Sequence, residues 1–158
     1  MKPSILVPFQ ISSFLYSSLF ELCLRLGKVG PQSTPKGVLE FLRQSIGEEA
    51  IRFYQDLLAS SKDTDGTVPS QVAIQFIFDV KFLQWMHLKL GDIVEPLVSK
   101  LQEFLDPFDL DIVNPRLKVN LKRFLFENHV CANLMELKNM FYIVKILYIS
   151  GYNFVARS

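Results

Sequence analysis

Asp106-Pro107-Phe108-Asp109-Leu110-Asp111, followed by Asn114-Pro115 and Asn120-Leu121, decides how the chain divides into elements. Amphipathic helical spacing runs up to this stretch and resumes after it. Proline lacks an amide hydrogen and its ring collides with the preceding turn, so Pro107 is expected to close one helix. Asn114-Pro115 is a cap followed by a proline and is expected to open the next. Phe108 and Leu110 are apolar residues in what then reads as a connector. The segment is therefore expected to be a packed corner, with Asp106, Phe108 and Leu110 as candidate corner or partner contacts.

Working outward, the spacing predicts five helices. Leu15, Leu19, Leu22, Leu26 and Val29 step by four and three and place a helix over about Ser12 to Lys28, ended by Gly27, Gly30 and Pro31. Thr34-Pro35 opens a second helix to about Ser60, with Leu39, Leu42, Ile46, Ala50, Phe53 and Leu57 as its stripe. Residues 59–68 read as a polar surface loop with Asp65-Gly66 as turn chemistry. Pro69-Ser70 leads a third helix to about Leu90, stopped by Gly91. Val72, Phe76, Ile77, Val80, Phe82, Leu83, Trp85 and Met86 make it apolar on nearly every side, as in a central or a partner-facing helix. Phe78, Phe82 and Trp85 are its candidate partner contacts. Asp92 is expected to cap a fourth helix, with Val94, Leu97, Leu101 and Phe104 or Leu105 facing inward and Pro96 near the first turn. The fifth carries Leu117, Leu121, Phe124 and Leu125 inward and Lys118, Lys122 and Arg123 outward. From Leu137 to Ser158 there is no acidic residue, and helix and strand both fit the apolar run from Phe141 to Ile149.

The chain has 158 residues, enough for one domain with a substantial core. Seventeen basic residues nearly balance sixteen acidic ones, for a net charge of +1, which argues against nucleic acid as the main partner. Cys23 and Cys131 are too few and too far apart for a disulfide framework and read as buried thiols. The apolar N-terminal stretch is interrupted by Pro8, Gln10, Glu21 and Arg25, unlike a signal peptide, and no run reaches the length of a membrane span.

The residues assemble no recognisable catalytic or cofactor site. His87 lies on an apolar helix beside Trp85 and Met86, which is core chemistry. His129 and Cys131 lack two further ligands at zinc spacing. Nucleotide-binding glycine loops and a nucleophile elbow are missing. Counted as a calcium loop from Asp109, the ligand positions fall on Val113 and Asn120 and fail. No catalytic, cofactor or metal residues are therefore assigned. Asp106-Pro107-Phe108 also matches the short peptides that endocytic adaptor domains bind, and the cations of the fifth helix suit anionic lipid. An adaptor-binding or membrane-associated small helical protein is the alternative function.

DPFDLD, Asn114-Pro115-x-Leu117 and Asn120-Leu121 together resemble the C-terminal region of subunit 1 of the conserved oligomeric Golgi complex. Ile74 to Leu83, with an Asp and a basic residue inside an apolar helix, is similar to a second stretch of that family. Val7-Pro8-Phe9-Gln10-Ile11-Ser12, Leu19-Phe20-Glu21-Leu22-Cys23 and Pro35-Lys36 are similar to its start. The resemblance runs from about Val7 to Phe126. It implies a non-enzymatic subunit, without cofactor, of a vesicle tether on the cytosolic face of Golgi membranes, acting in intra-Golgi retrograde transport and Golgi organisation. The partners it implies are sister subunits and, through the complex, SNAREs, Rab GTPases and coiled-coil tethers, with peripheral membrane association. The expected architecture is all-α: residues 1–126 as a bundle of about five helices, and 127–158 as a divergent tail.

Overall fold

The computed structural model describes residues 5–29, 35–62, 68–86 and 88–127. They form an all-α bundle: α1 (Ser13–Val29), α2 (Lys36–Lys62), α3 (Ser70–Met86), a single 3-10 turn (Leu88–Leu90), α4 (Gly91–Gln102) and α5 (Pro107–Glu127). No strand occurs among the described residues. Of the predicted 59–68 loop, residues 59–62 are the last turn of α2, Val68 is buried and 63–67 lie outside the described residues, as do the apolar run after Glu127, His87, His129 and Cys131; the side chain of Cys23 is likewise not described.

α3 is the centre of the bundle. Ile77, Phe78, Asp79 and Val80 are buried at four consecutive positions. At about 100° per residue, four consecutive positions point to all sides of a helix. The helix is therefore enclosed, with α4 packed along it and α2, α5 and the 3-10 turn around it. Ala73, Ile74, Phe82 and Leu83 complete its buried surface. This decides between the two roles its sequence allowed. Phe78 and Phe82 do not face a partner; they lie in the core, with their rings edge-on to Phe124 of α5 at 6.1 and 5.8 Å.

The inward faces of α1, α4 and α5 follow the predicted spacing. Leu15 and Leu19 are buried on α1, Val94, Leu97, Val98 and Leu101 on α4, and Val113, Leu117 and Leu125 on α5. Leu105, rather than Phe104, closes the core beyond α4. α2 differs by one position. Its buried residues are Gly47, Ile51, Tyr54 and Leu58, whereas Phe53 and Leu57 of the predicted stripe lie one step round, partly in solvent. Tyr54 pulls the helix round because its ring fills the core while its hydroxyl finds a buried acceptor. Gly47 is where α2 comes close to the 3-10 turn: a Cβ there would stand 2.7 Å from Leu90 Cδ1, and Leu90 is itself buried.

Three boundaries move. α3 ends at Met86, and Gly91 is the first residue of α4 instead of the stop of α3. Leu90 occupies the cap position of α4 in a helical conformation without a side-chain cap bond. Asp92 therefore sits inside the first turn, where its charge meets the positive end of the helix dipole. Pro96 falls in the second turn and not the first. The third change is the largest: Asp106 to Asp111 is not a corner between helices. α4 already ends at Gln102, and α5 begins at Pro107 and continues through Asn114-Pro115 to Glu127. Pro107 is the first helical residue, where a missing amide hydrogen costs nothing, so the proline starts a helix instead of stopping one. Pro115 is tolerated inside α5 because it lies on the exposed side, while Leu110 and Val113 before it pack on the core.

Candidate functional site

The most organised polar site is built on one face of α3. Gln71, Gln75 and Asp79 recur every four residues, so they stand in one row along the helix. An irregular segment, residues 5–12, lies across that row. The Gln71 amide accepts from Leu6 N–H at 3.2 Å and donates back to the Leu6 carbonyl. Gln75 Nε2 donates to the Gln10 carbonyl at 3.1 Å and to Asp79 Oδ1 at 3.0 Å. Ser12 N–H donates to Asp79 Oδ1 at 2.8 Å. From α5, Asn120 Nδ2 donates to the Pro8 carbonyl at 2.9 Å. A segment outside both helix and sheet would leave its backbone groups orphaned; here side chains supply missing partners.

Asp79 is the keystone. Asp79 is itself enclosed, while Gln71 and Gln75 of the same row are exposed and half-buried, and it is the one buried charged residue among the described residues. Tyr54 donates its hydroxyl to Oδ2 at 2.6 Å, so the carboxylate links the N-terminal segment, α2 and α3. Ser12 meanwhile caps α1 by accepting from Leu15 N–H at 3.2 Å. In a capping box the residue three places into the helix would bind the amide of the cap. That place is held by Leu15, and Asp79 performs the task from another helix. Burial pushes the Asp79 carboxyl above the usual aspartate range, opposed by the hydrogen bonds from Ser12, Tyr54 and Gln75. Burial first, and the neighbouring carboxylate second, hold the Tyr54 hydroxyl far above its usual range, so it remains a donor. A carboxylate surrounded by donors and shut away from solvent is a fastening, without access for a substrate.

The residues singled out from sequence separate into three places. Phe78 and Phe82 are core. Trp85 and Leu110 are half-buried against it. Asp106 and Phe108 are exposed at the start of α5. Asp106 Oδ1 accepts from Phe108 N–H at 2.9 Å, and its carbonyl accepts from Asp109 and Leu110. Asp106-Pro107-Phe108 is thus a helix cap with its first turn, a fixed geometry unlike that of a flexible peptide. Phe108 opens an outward stripe on α5, 79% exposed, continued by Ile112, Val119 and Phe126. Asp79 and Tyr54, which sequence reasoning passed over, carry the strongest polar contact. The available signals were the four-residue spacing of Gln71, Gln75 and Asp79, and an acid on an otherwise apolar helix.

No group of three or more metal-ligating side chains occurs among the described residues. A cavity of about 180 Å³ opens between α2 and α4, lined by Leu58, Ala59, Pro96, Leu97, Lys100 and Phe104 among others. It is smaller than the roughly 300 Å³ at which small-molecule sites begin and has few converging polar groups. No described helix is long and apolar enough to cross a membrane.

Comparison with known proteins finds relatives that match most of this chain. Over 143 residues covering 82% of this chain, 28% are identical to conserved oligomeric Golgi complex subunit 1 of Mus musculus, and the same holds for Homo sapiens. The chain is similar to subunit 1 of the conserved oligomeric Golgi complex. The Drosophila melanogaster subunit is 26% identical over 130 residues, 78% of this chain. The chain spans only about 15% of the length of these subunits. No protein-family model matches the chain, and no solved structure matches it. The likeness agrees with the resemblance read from the sequence, whose stretches include Val7–Ser12, Ile74–Leu83 and Asp106–Leu121. In the fold those stretches touch: Ser12 and Gln10 on Asp79 and Gln75, and Pro8 on Asn120.

Proposed function

We propose that this chain is a non-enzymatic piece of a Golgi vesicle-tethering complex, corresponding to the C-terminal region of subunit 1. The similarity over 82% of the chain carries this reading. The all-helical bundle, with its polar groups spent on holding itself together, supports it as scaffold. In this role the chain contributes helix surface to an assembly with sister subunits at the cytosolic face of Golgi membranes. SNAREs, Rab GTPases and coiled-coil tethers are reached through the assembly, which serves intra-Golgi retrograde transport. Residues 127–158 form a divergent ending of the piece.

Affinity capture of the tagged longer parent chain from its own cells tests the reading. Sister subunits are expected in the captured material, and deletion of the segment matching residues 5–127 is expected to deplete at least one of them or to release the complex from Golgi membranes. A parent chain that captures no sister subunit contradicts the proposal.

A further inference from the structure

We propose that the C-terminal half of the outward face of α5 docks on an anionic lipid bilayer. The helix has two apolar faces. Val113, Leu117, Leu121, Phe124 and Leu125 serve the core. Opposite them, positions 108, 112, 115, 119, 122 and 126 step by four and three, and run as a narrow stripe for about 27 Å at 1.5 Å per residue. Its members Ile112, Val119 and Phe126 are 56%, 56% and 70% exposed.

Charge selects the occupant. Arg116 and Arg123 border the stripe on one side, Lys118 on the other, and Lys122 stands within it. All four are exposed, and no acidic residue lies between Ile112 and Phe126. Four-three spacing also suits a helical partner, and a second copy is the simplest one. A parallel seam between copies would bring Lys122, Arg116 and Lys118 against their own copies, which is costly, and an antiparallel one still crowds the central Arg116 and Lys118 while setting Asp111 near Lys122, so the oligomeric state is part of the test. At a bilayer the same lysine lays its stem on the apolar boundary and keeps its charge among phosphates. Asp109 and Asp111, with Asp106 just before them, lie at the start of α5, and its one other acid, Glu127, follows the stripe at the last position, so the contact tilts toward Val119, Lys122 and Phe126. Beyond the stripe, from Glu127 to Ser158, the sequence has two acids, Glu127 and Glu136, against Lys138, Lys145 and Arg157.

The test is co-sedimentation of the full chain with vesicles of phosphatidylcholine alone and of phosphatidylcholine mixed with phosphatidylserine, with circular dichroism confirming that each variant stays helical. Binding is expected to the mixed vesicles, to weaken with salt, and to fall about fivefold for each of Lys122→Gln and Arg123→Gln. Phe126→Ser also weakens it, and Phe108→Ser, at the acidic end, leaves it unchanged. Equal or no binding to both vesicles overturns the proposal. So does mixed-vesicle binding that survives the Lys122, Arg123 and Phe126 variants, which assigns it to another segment. A solution dimer dissociated by Phe126→Ser would assign the face to a second copy, and tight binding of an acidic amphipathic helical peptide in preference to vesicles would assign it to a protein. Binding to vesicles requires no sister subunit, so failure here leaves the subunit reading standing.

Discussion

A buried carboxylate costs free energy unless donors surround it, and Asp79 takes hydrogen bonds from three directions. Asp79→Ala leaves the Ser12 amide, the Tyr54 hydroxyl and one Gln75 amide hydrogen without their acceptor. A loss of about 2–4 kcal/mol is expected in urea denaturation. Tyr54→Phe keeps the ring and removes one donor, so about 1–3 kcal/mol is expected. The pH dependence has a definite sign. Burial raises the Asp79 carboxyl above 3.8, so the folded state holds its proton more tightly than the unfolded chain. The contribution of this group is full below pH 3.8 and declines as pH rises through its folded value. Asp79→Asn does not titrate, so its cost relative to the native chain shrinks as pH rises from about 4. Urea midpoints of both proteins between pH 4 and 8 measure this; a cost that grows with pH contradicts the assignment.

The elements show why the same dipeptide signals opposite events. Asp106-Pro107 suits a helix end by its proline and a helix start by its aspartate, and the sequence alone does not rank them. The four residues 103–106 are enough to turn the chain, so α5 starts early and uses the aspartate. Asp106→Ala is expected to cost about 1 kcal/mol and Asp106→Asn only a few tenths, read as shifts in thermal unfolding. Pro115 is a liability retained in mid-helix, since it deprives the Asp111 carbonyl of its partner four residues on. Pro115→Ala is expected to raise the melting temperature, with a gain of up to about 3 kcal/mol; no gain would mean that α5 is already broken there. At Gly47, valine would drive into buried Leu90, and a loss of about 1–3 kcal/mol is expected.

Helical periodicity made α1, α4 and the second half of α5 legible, because each buries a stripe of several Leu, Val or Ile at four-three spacing, and α3 was legible from its apolar residues on nearly every side. It failed where one residue overrides the stripe, as Tyr54 does on α2, and where two turn signals coincide, as at Asp106-Pro107. The fastening was out of reach because the bonds that hold residues 5–12 join residues 65 to 112 positions apart and the Tyr54–Asp79 bond joins residues 25 apart. The similarity to subunit 1 was legible, since its three stretches are contiguous strings, but not the reason for their grouping.

At the scale of the whole molecule, those strings are the parts that lock an irregular segment onto α3 and α5. Residues 5–12 are therefore part of one folded unit with α3 and α5. Hydrogen exchange at the Ser12 amide tests this most directly. Bound to enclosed Asp79, it is predicted to exchange as slowly as the core amides of α3, and Asp79→Ala is predicted to release it selectively. A Ser12 amide that exchanges like a free peptide while α3 stays protected would contradict the account.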